Sequence, residues 1–175
     1  MTFMSIDELI LDKIRRGMLF PVLPRAPGAA IDRALLVSEH LWSVLNSVEG
    51  DDEWEERVGQ LQADLERFIT NEHPIDPKYL FLLYPAADAV WEIRSVRPEP
   101  SIRVLGSFAK KDVFVATNYA LREDLGGWQS REWRAVKKTC AAIWRAIFHT
   151  YRPKNSIHIQ DLVTGAHDGE YFREP

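Results

Sequence analysis

The sequence predicts an α+β fold, in which an N-terminal helical hairpin packs on a small antiparallel meander sheet and a C-terminal helix follows. Apolar residues recur with helical spacing between residues 31 and 69, and again between residues 130 and 149. Residues 79–118 instead carry short β-rich runs joined by tight connections. Because the helical and β patterns occupy separate stretches, they indicate a layered α+β arrangement with the helices packed on one face of the sheet.

Length and composition predict one domain. The chain has 175 residues, of which 46% are hydrophobic and 27% charged, as is usual for a globular protein with one buried core. We expect a single α+β domain over residues 1–165 and a polar tail over residues 166–175. No apolar run approaches the roughly 18 residues that would cross a bilayer, and acids interrupt the N-terminal apolar stretch, which does not match a secretory signal. Cys140 is the single cysteine, which excludes an internal disulfide and favours a cytoplasmic location.

The helical hairpin is expected over residues 31–70. Its first helix would run to about residue 48, and its second would occupy residues 52–69, with Glu49-Gly50-Asp51 ending one and capping the other. A shorter amphipathic helix is expected over residues 5–16, with Ser5 as its N-cap.

The predicted sheet covers residues 79–118. Its strands are expected at residues 79–84, 89–96, 102–108 and 112–118. Ser130 is then expected to cap a helix over residues 130–149. The pattern over residues 156–163 leaves a closing strand possible.

Charge is distributed unevenly along this acidic chain. Residues 89–154 contain 13 Lys or Arg and 6 Asp or Glu, a net charge of +7, whereas the remaining residues contain 9 and 20, a net charge of −11. Exposed charges more than about 8–10 Å apart are largely screened at physiological salt, so a local basic surface can act independently of the total of −4. The contrast predicts a surface for a polyanion within residues 89–154.

Three short phrases lie on successive predicted strands: Trp91-Glu92-Ile93-Arg94, Ile102-Arg103-Val104 and Val113-Phe114-Val115. Following a helical hairpin, they resemble the strands of the RelE/HigB-like toxins of toxin–antitoxin modules, including phage-derived HigB-like relatives. The resemblance is loose over about residues 30–120 and closer over the strands themselves. The chain departs from that family in its greater length and in its acidic first 88 residues, which carry 8 Lys or Arg and 16 Asp or Glu.

The resemblance implies an endoribonuclease that cuts messenger RNA, commonly on the ribosome, without a metal or cofactor. In that reaction a ribose 2′-OH attacks the adjacent phosphate, so cations must stabilise the developing phosphorane charge. Arg94 and Arg103 correspond to the strand arginines of the family. On this basis the expected catalytic residues are Arg94, Arg103, Arg122 and Tyr119, and the expected RNA-binding residues are Lys110, Lys111 and His158. The implied partners are RNA or the ribosome, and an antitoxin.

The residues leave a second function open, a non-catalytic protein-interaction module of phage or plasmid origin. The strand arginines would then be solvent-facing partners of acids such as Glu92, and the acidic hairpin would pack on a basic partner or mask the protein's own basic face. Of the six tryptophans, Trp128 alone follows a Gly-Gly loop and is expected to contact a ligand or partner. No histidine or cysteine spacing predicts a metal site, and no phosphate-binding glycine loop is present.

Overall fold

The computed structural model describes residues 3–47, 49–70, 75–167, 169 and 171. Within them the chain forms four α-helices and six strands, which confirms the predicted α+β class. In chain order these are α1 (Ile6–Arg15), β1 (Leu19–Pro21), β2 (Ala34–Ser38), α2 (Glu39–Leu45), α3 (Asp52–Ile69), β3 (Leu80–Leu82), β4 (Trp91–Ser95), β5 (Ile102–Lys110), β6 (Val113–Leu121) and α4 (Arg131–Phe148).

The six strands form one mixed sheet in the order β1-β2-β6-β5-β4-β3. The expected antiparallel meander is present as β3 to β6. It is extended by β2, which pairs in parallel with β6, and by β1, which pairs antiparallel with β2. The sheet is therefore larger than the sequence predicted, and its added strands come from the N-terminal part of the chain.

Helices cover both faces of the sheet, so the prediction that they pack on one face is wrong. On β6, Phe114 and Ala116 pack in the core that also holds Leu61 and Leu65 of α3. Val113 and Val115, which alternate with them, pack instead against residues of α1 and α4. Because successive side chains of a strand point to opposite faces, α2 and α3 lie on one side of the sheet and α1 and α4 on the other.

The helix predicted to begin at residue 31 is wrong in its first half. Residues 34–38 form β2, and the helix that follows, α2, starts only at Glu39, where the Ser38 hydroxyl accepts a hydrogen bond from the Leu41 amide at 3.3 Å. Residues 34–37 are fully buried between the two helical layers, and such a continuous apolar run fits a strand covered on both faces as well as a helix. Residue 48, the expected end of that helix, lies outside the described residues.

The closing strand that the sequence left possible over residues 156–163 is not formed. This segment contains a 3-10 turn at Ile159–Asp161. The Ser156 hydroxyl accepts from the His158 amide at 3.1 Å and donates to the Asp161 carboxylate at 2.8 Å. These local hydrogen bonds compete with a strand ladder and favour a turn.

Asp112, in the β5–β6 turn, anchors the chain that follows α4. Its carboxylate is buried and accepts hydrogen bonds from the amides of Thr164 at 2.5 Å and Gly165 at 2.9 Å, and from the Thr164 hydroxyl. Tyr171, within the predicted polar tail, is buried and donates to the Asp7 carboxylate of α1. The tail is thus held to the domain where it is described; residues 168, 170 and 172–175 lie outside the described residues.

Asp112 predicts a pH-dependent contribution to stability. Burial alone would raise the pKa of Asp112, but the hydrogen bonds from residues 164–166 hold that pKa below its ordinary value. A depressed folded-state pKa contributes stability that is present above the unfolded value, about 4, and is lost as pH falls through the folded value. We expect Asp112→Asn to lower the free energy of unfolding at pH 7 by about 1–3 kcal/mol, and the difference from wild type to shrink towards pH 2 in urea titrations.

The control is Asp124→Asn, which changes an exposed carboxylate and should differ little from wild type at either pH. If the free energy of unfolding of Asp112→Asn differed from that of wild type by the same amount at pH 7 and at pH 2, the carboxylate charge would not be what holds residues 164–166.

Candidate functional site

A cleft of about 150 Å³ opens on the α4 side of the sheet, next to the start of that helix. Its lining combines four cations, one acid and a group of aromatic rings. These residues are Arg94, Arg103, Arg122, Lys137, Glu92, Phe81, Tyr84, Trp128 and Trp133. We call this site the arginine cleft. It brings together three of the four residues that the resemblance gave as catalytic.

The strand register explains why the arginines lie together. Arg94 on β4 is directly opposite Arg103 on β5, and directly opposite residues share a face. Ile93 and Val104 point into the core against α3, so their strand neighbours must point to the other face. Core packing on one side of the sheet therefore fixes the position of the two arginines on the other.

Glu92 contacts both guanidinium groups, through a hydrogen bond to Arg94 and a longer ion pair with Arg103, whose Nη1 donates to the Ser101 hydroxyl at 2.8 Å. Its side chain is almost fully buried, and the residue is 2% exposed. Its Oε1 lies 2.7 Å from Arg94 Nε, and its Oε2 lies 3.5 Å from Arg103 Nε. Arg94 also lies over the Phe81 ring, 4.5 Å from the centroid. One carboxylate thus orients two arginines before any ligand arrives.

The cleft carries excess positive charge. Burial lowers the pKa of Arg103, Glu92 opposes that shift, and the neighbouring Arg94 and Arg122 lower the pKa further. Of the described residues that line the cleft, Glu92 is the single carboxylate, against three arginines and Lys137. Like charges this close are stabilised by an anionic ligand, which a guanidinium can hold in a bidentate fork.

The loop between β6 and α4 places two further groups at the cleft. Arg122 Nη1 donates to the Gly126 carbonyl at 2.9 Å, and Gly126 adopts a positive φ of 64° that favours glycine. The turn carries Trp128 to the mouth, where it is 77% exposed and its ring centroid lies 5.9 Å from that of Tyr84, which is 60% exposed. Two large exposed rings beside cations are typical of a contact surface.

Tyr119 does not belong to this site. It pairs with Val104 on β5 and packs on the α3 side of the sheet, where its ring stacks with His40 at a centroid distance of 6.1 Å. The sheet itself separates it from the arginines. Its nearness to them in sequence was misleading, because alternation sends Tyr119 and its neighbour Ala120 to opposite faces.

Lys110, Lys111 and His158 also lie away from the cleft. Lys110 is at the far end of β5, seven residues from Arg103, which is over about 20 Å along a strand. Its Nζ lies 2.6 Å from Asp7 Oδ1 of α1. Lys111 is exposed at the hairpin tip, and His158 is exposed beside the edge strand β3. The acidic helix α3 lies on the opposite face of the sheet, so it does not mask the arginine cleft as the sequence allowed.

Sequence reasoning missed the contributions of Tyr84 and Lys137. Tyr84 ends the strand expected over residues 79–84, and Lys137 falls within the helix expected over residues 130–149. In the structure Lys137 Nζ donates to the Tyr84 carbonyl, which joins α4 to the chain after β3. No local pattern predicts that contact, because it depends on how α4 docks on the sheet.

Comparison with models of known protein families, with curated proteins and with solved structures gave no match. Among the described residues, no cluster of His, Cys, Asp and Glu is arranged to hold a metal ion. In the same part of the chain, no helix combines the length and apolarity needed to cross a membrane. The functional argument therefore rests on the geometry of the arginine cleft.

Because Glu92 pairs with Arg94 and Arg103, we predict that neutralising its carboxylate lowers the stability of the fold. Glu92→Gln keeps the size of the side chain but leaves Arg94 and Arg103 facing each other without a counter-charge. We expect the free energy of unfolding to fall by about 2–4 kcal/mol, since removing one partner of a buried ion pair strands the other. Urea titration at neutral pH measures this.

The matched control is Glu123→Gln, which removes the same charge from an exposed position just after β6. It should stay within about 0.5 kcal/mol of wild type. If the two variants were equally stable, Glu92 would not be the group that organises the cleft.

Proposed function

We propose that the arginine cleft binds single-stranded RNA and that the protein is a cytoplasmic RelE/HigB-like toxin or a relative, with metal-independent endoribonuclease activity. The observation that carries this proposal is the convergence of three arginines and two exposed aromatic rings in one cleft. The order of α2 and α3 followed by the β3–β6 meander also supports it.

The cations provide the phosphate site. Arg94 and Arg103 are held side by side by Glu92, and Arg122 lies close enough to Arg103 to lower its pKa. Guanidinium groups bind phosphate oxygens bidentately, and groups fixed in advance lose little conformational entropy on binding. An RNA phosphodiester suits such a site because its two non-bridging oxygens share one negative charge and further phosphates flank it.

The exposed rings provide the base site. Trp128 and Tyr84 stand at the mouth of the cleft, where their faces are accessible. Stacking of one base on an aromatic side chain contributes about 1–3 kcal/mol and requires an unpaired base. In an A-form duplex the bases are stacked on each other, so this arrangement favours single strands.

The chemistry that fits the cleft is transesterification by the ribose 2′-OH. The 2′-oxygen would bond to phosphorus as the P–O5′ bond breaks, which leaves a 2′,3′-cyclic phosphate and a 5′-hydroxyl; water would take the 2′-OH proton and supply one to the 5′-oxygen. The arginines would stabilise the charge that develops on the phosphate oxygens, and the aromatic rings would hold the flanking base so that the 2′-OH lies in line. Both oxygens of Glu92 face guanidinium groups, so the carboxylate is turned towards the arginines and not towards the mouth of the cleft. The geometry thus favours catalysis through charge stabilisation and positioning more than through a strong general base.

RNA binding can be tested with a labelled eight-nucleotide RNA and fluorescence anisotropy over a range of salt concentrations. Arg122→Ala should weaken binding by about tenfold and reduce the salt slope by about 0.7, the value for one lost phosphate contact on a single strand. Trp128→Leu should also weaken it by about tenfold, whereas Trp128→Phe, which keeps a ring, should weaken it less.

The matched control is Arg97→Ala, which removes an exposed arginine in the β4–β5 turn, outside the cleft lining. Equal losses for Arg97→Ala and Arg122→Ala would point to non-specific attraction. Absence of binding by the wild-type protein would refute the RNA assignment.

Catalysis needs a separate experiment. Induced expression of the wild-type chain should arrest growth, and the purified protein should cut messenger RNA in the presence of ribosomes. Arg103→Lys keeps the charge but loses the planar fork, so we expect a rate reduction of about 10²–10³-fold with circular dichroism unchanged. Harmless expression together with intact RNA would eliminate the endoribonuclease activity and leave RNA binding as the function.

A protein-interaction module is the second candidate, and the exposure of Trp128 and Tyr84 favours it as well. Exposed aromatic residues are common anchors of protein interfaces. A protein partner that uses these rings would lose affinity with Trp128→Leu but would show a much weaker dependence on salt than RNA. Anisotropy titrations with the two kinds of ligand would separate the candidates.

A further inference from the structure

The outer face of α4 carries a line of basic residues. Arg131, Lys138 and Arg145 are spaced seven residues apart, which is close to two helical turns, so they lie along one side of the helix. Arg134 lies between the first two, within the same stripe. All four are exposed. We call these four residues the basic stripe.

The charge of the basic stripe is not neutralised by acids of its own helix. Glu132 is the single acid in α4, and at about 100° per residue it lies well to the side of the stripe. Within the described residues, none of the four cations forms a salt bridge. Arg134 and Lys138 are even spaced four apart, where like charges destabilise a helix. Charges that alternate in sign along a helix face indicate plain exposure to solvent, whereas a face of one positive sign is complementary to a polyanion.

The basic stripe borders the side of α4 that faces the arginine cleft, since at 100° per residue Arg134 lies about 60° from Lys137 around the helix. The same helix supplies Trp133 and Lys137 to the cleft lining. Towards its C-terminus, α4 borders a second depression of about 410 Å³, whose rim includes Arg145, His149 and Arg152, together with Asp88. The exposed Ala141, which lines the second depression, lies one helical turn after Lys137 of the arginine cleft.

We propose that a single strand of RNA leaving the arginine cleft continues along α4, with its phosphates on the basic stripe, as far as the depression beside Arg145 and Arg152. This inference rests on the proposed RNA binding and names its footprint. From Trp133 to Arg145 the helix rises twelve residues, about 18 Å at 1.5 Å per residue. At a rise of about 3.4 Å per stacked nucleotide, that distance accommodates about five nucleotides beyond the cleft.

The test compares two oligouridines, one of three nucleotides and one of twelve, with a triple variant, Arg131→Ala, Lys138→Ala and Arg145→Ala. Alanine is the best helix former, so α4 is retained. The variant should bind the twelve-nucleotide RNA at least about tenfold more weakly, with a salt slope smaller by about 2. Its affinity for the trinucleotide should change less than about twofold at the same salt, because that ligand fills only the cleft.

A matched triple variant controls for net charge. Arg15→Ala, Lys78→Ala and Arg97→Ala remove the same two arginines and one lysine from exposed positions outside α4. The inference is overturned if this control variant loses as much affinity for the twelve-nucleotide RNA as the stripe variant does. It is also overturned if the stripe variant binds that RNA normally, including the case where it instead loses a protein partner.

Arg122→Ala distinguishes the two proposals. If Arg122→Ala weakens the binding of both RNAs and the stripe variant binds both normally, the cleft binds RNA and the extended path is wrong. If the stripe variant binds the twelve-nucleotide RNA more weakly but Arg122→Ala binds both RNAs normally, the path does not start in the cleft and the proposed function fails. Absence of binding of either RNA to the wild-type protein would overturn both.

Discussion

Strand β6 packs against a helical layer on each of its two faces, and the rest of the structure depends on this double packing. It pairs with β2 on one side and with β5 on the other. Its alternating side chains pack against α3 on one face and against α1 and α4 on the other. The same alternation passes through β5 to β4, where Ile93 must enter the α3 core. Glu92 and Arg94 are then forced to the α4 face, so the position of the site follows from the packing of the core.

Local patterns in the sequence were enough to predict α3, α4 and the meander, because helical and strand periodicities are read within one element. They failed at β2, whose partner β6 lies almost eighty residues later and whose apolar run fits either structure. Cross-strand placement of Arg94 and Arg103 was predictable from a hairpin, whereas the contact of Lys137 with Tyr84 depends on how a distant helix docks. Tyr119 was misplaced because closeness in sequence was used where strand alternation decides the face.

The small net charge results from acidic and basic regions that lie on different sides of the sheet. The first turns of α3 carry exposed acids on one side of the sheet, and the arginine cleft and the basic stripe lie on the other side. A polyanion approaching such a surface is repelled from one face and attracted to the other, which orients it during diffusional encounter. A chain with a net charge of −4 therefore carries a locally basic face. Because the sheet is one element, the two charged faces are held at a fixed separation.

The exposure of Trp128 has an optical consequence. The chain has six tryptophans, and the other five are buried or partly buried, for example Trp91 in the α3 core. A small collisional quencher in solution therefore reaches one indole far more readily than the rest. The red-shifted part of the emission spectrum is expected to come mainly from Trp128. The protein thus carries an intrinsic fluorophore at the mouth of the arginine cleft, and occupancy of the cleft can be followed without attaching a dye.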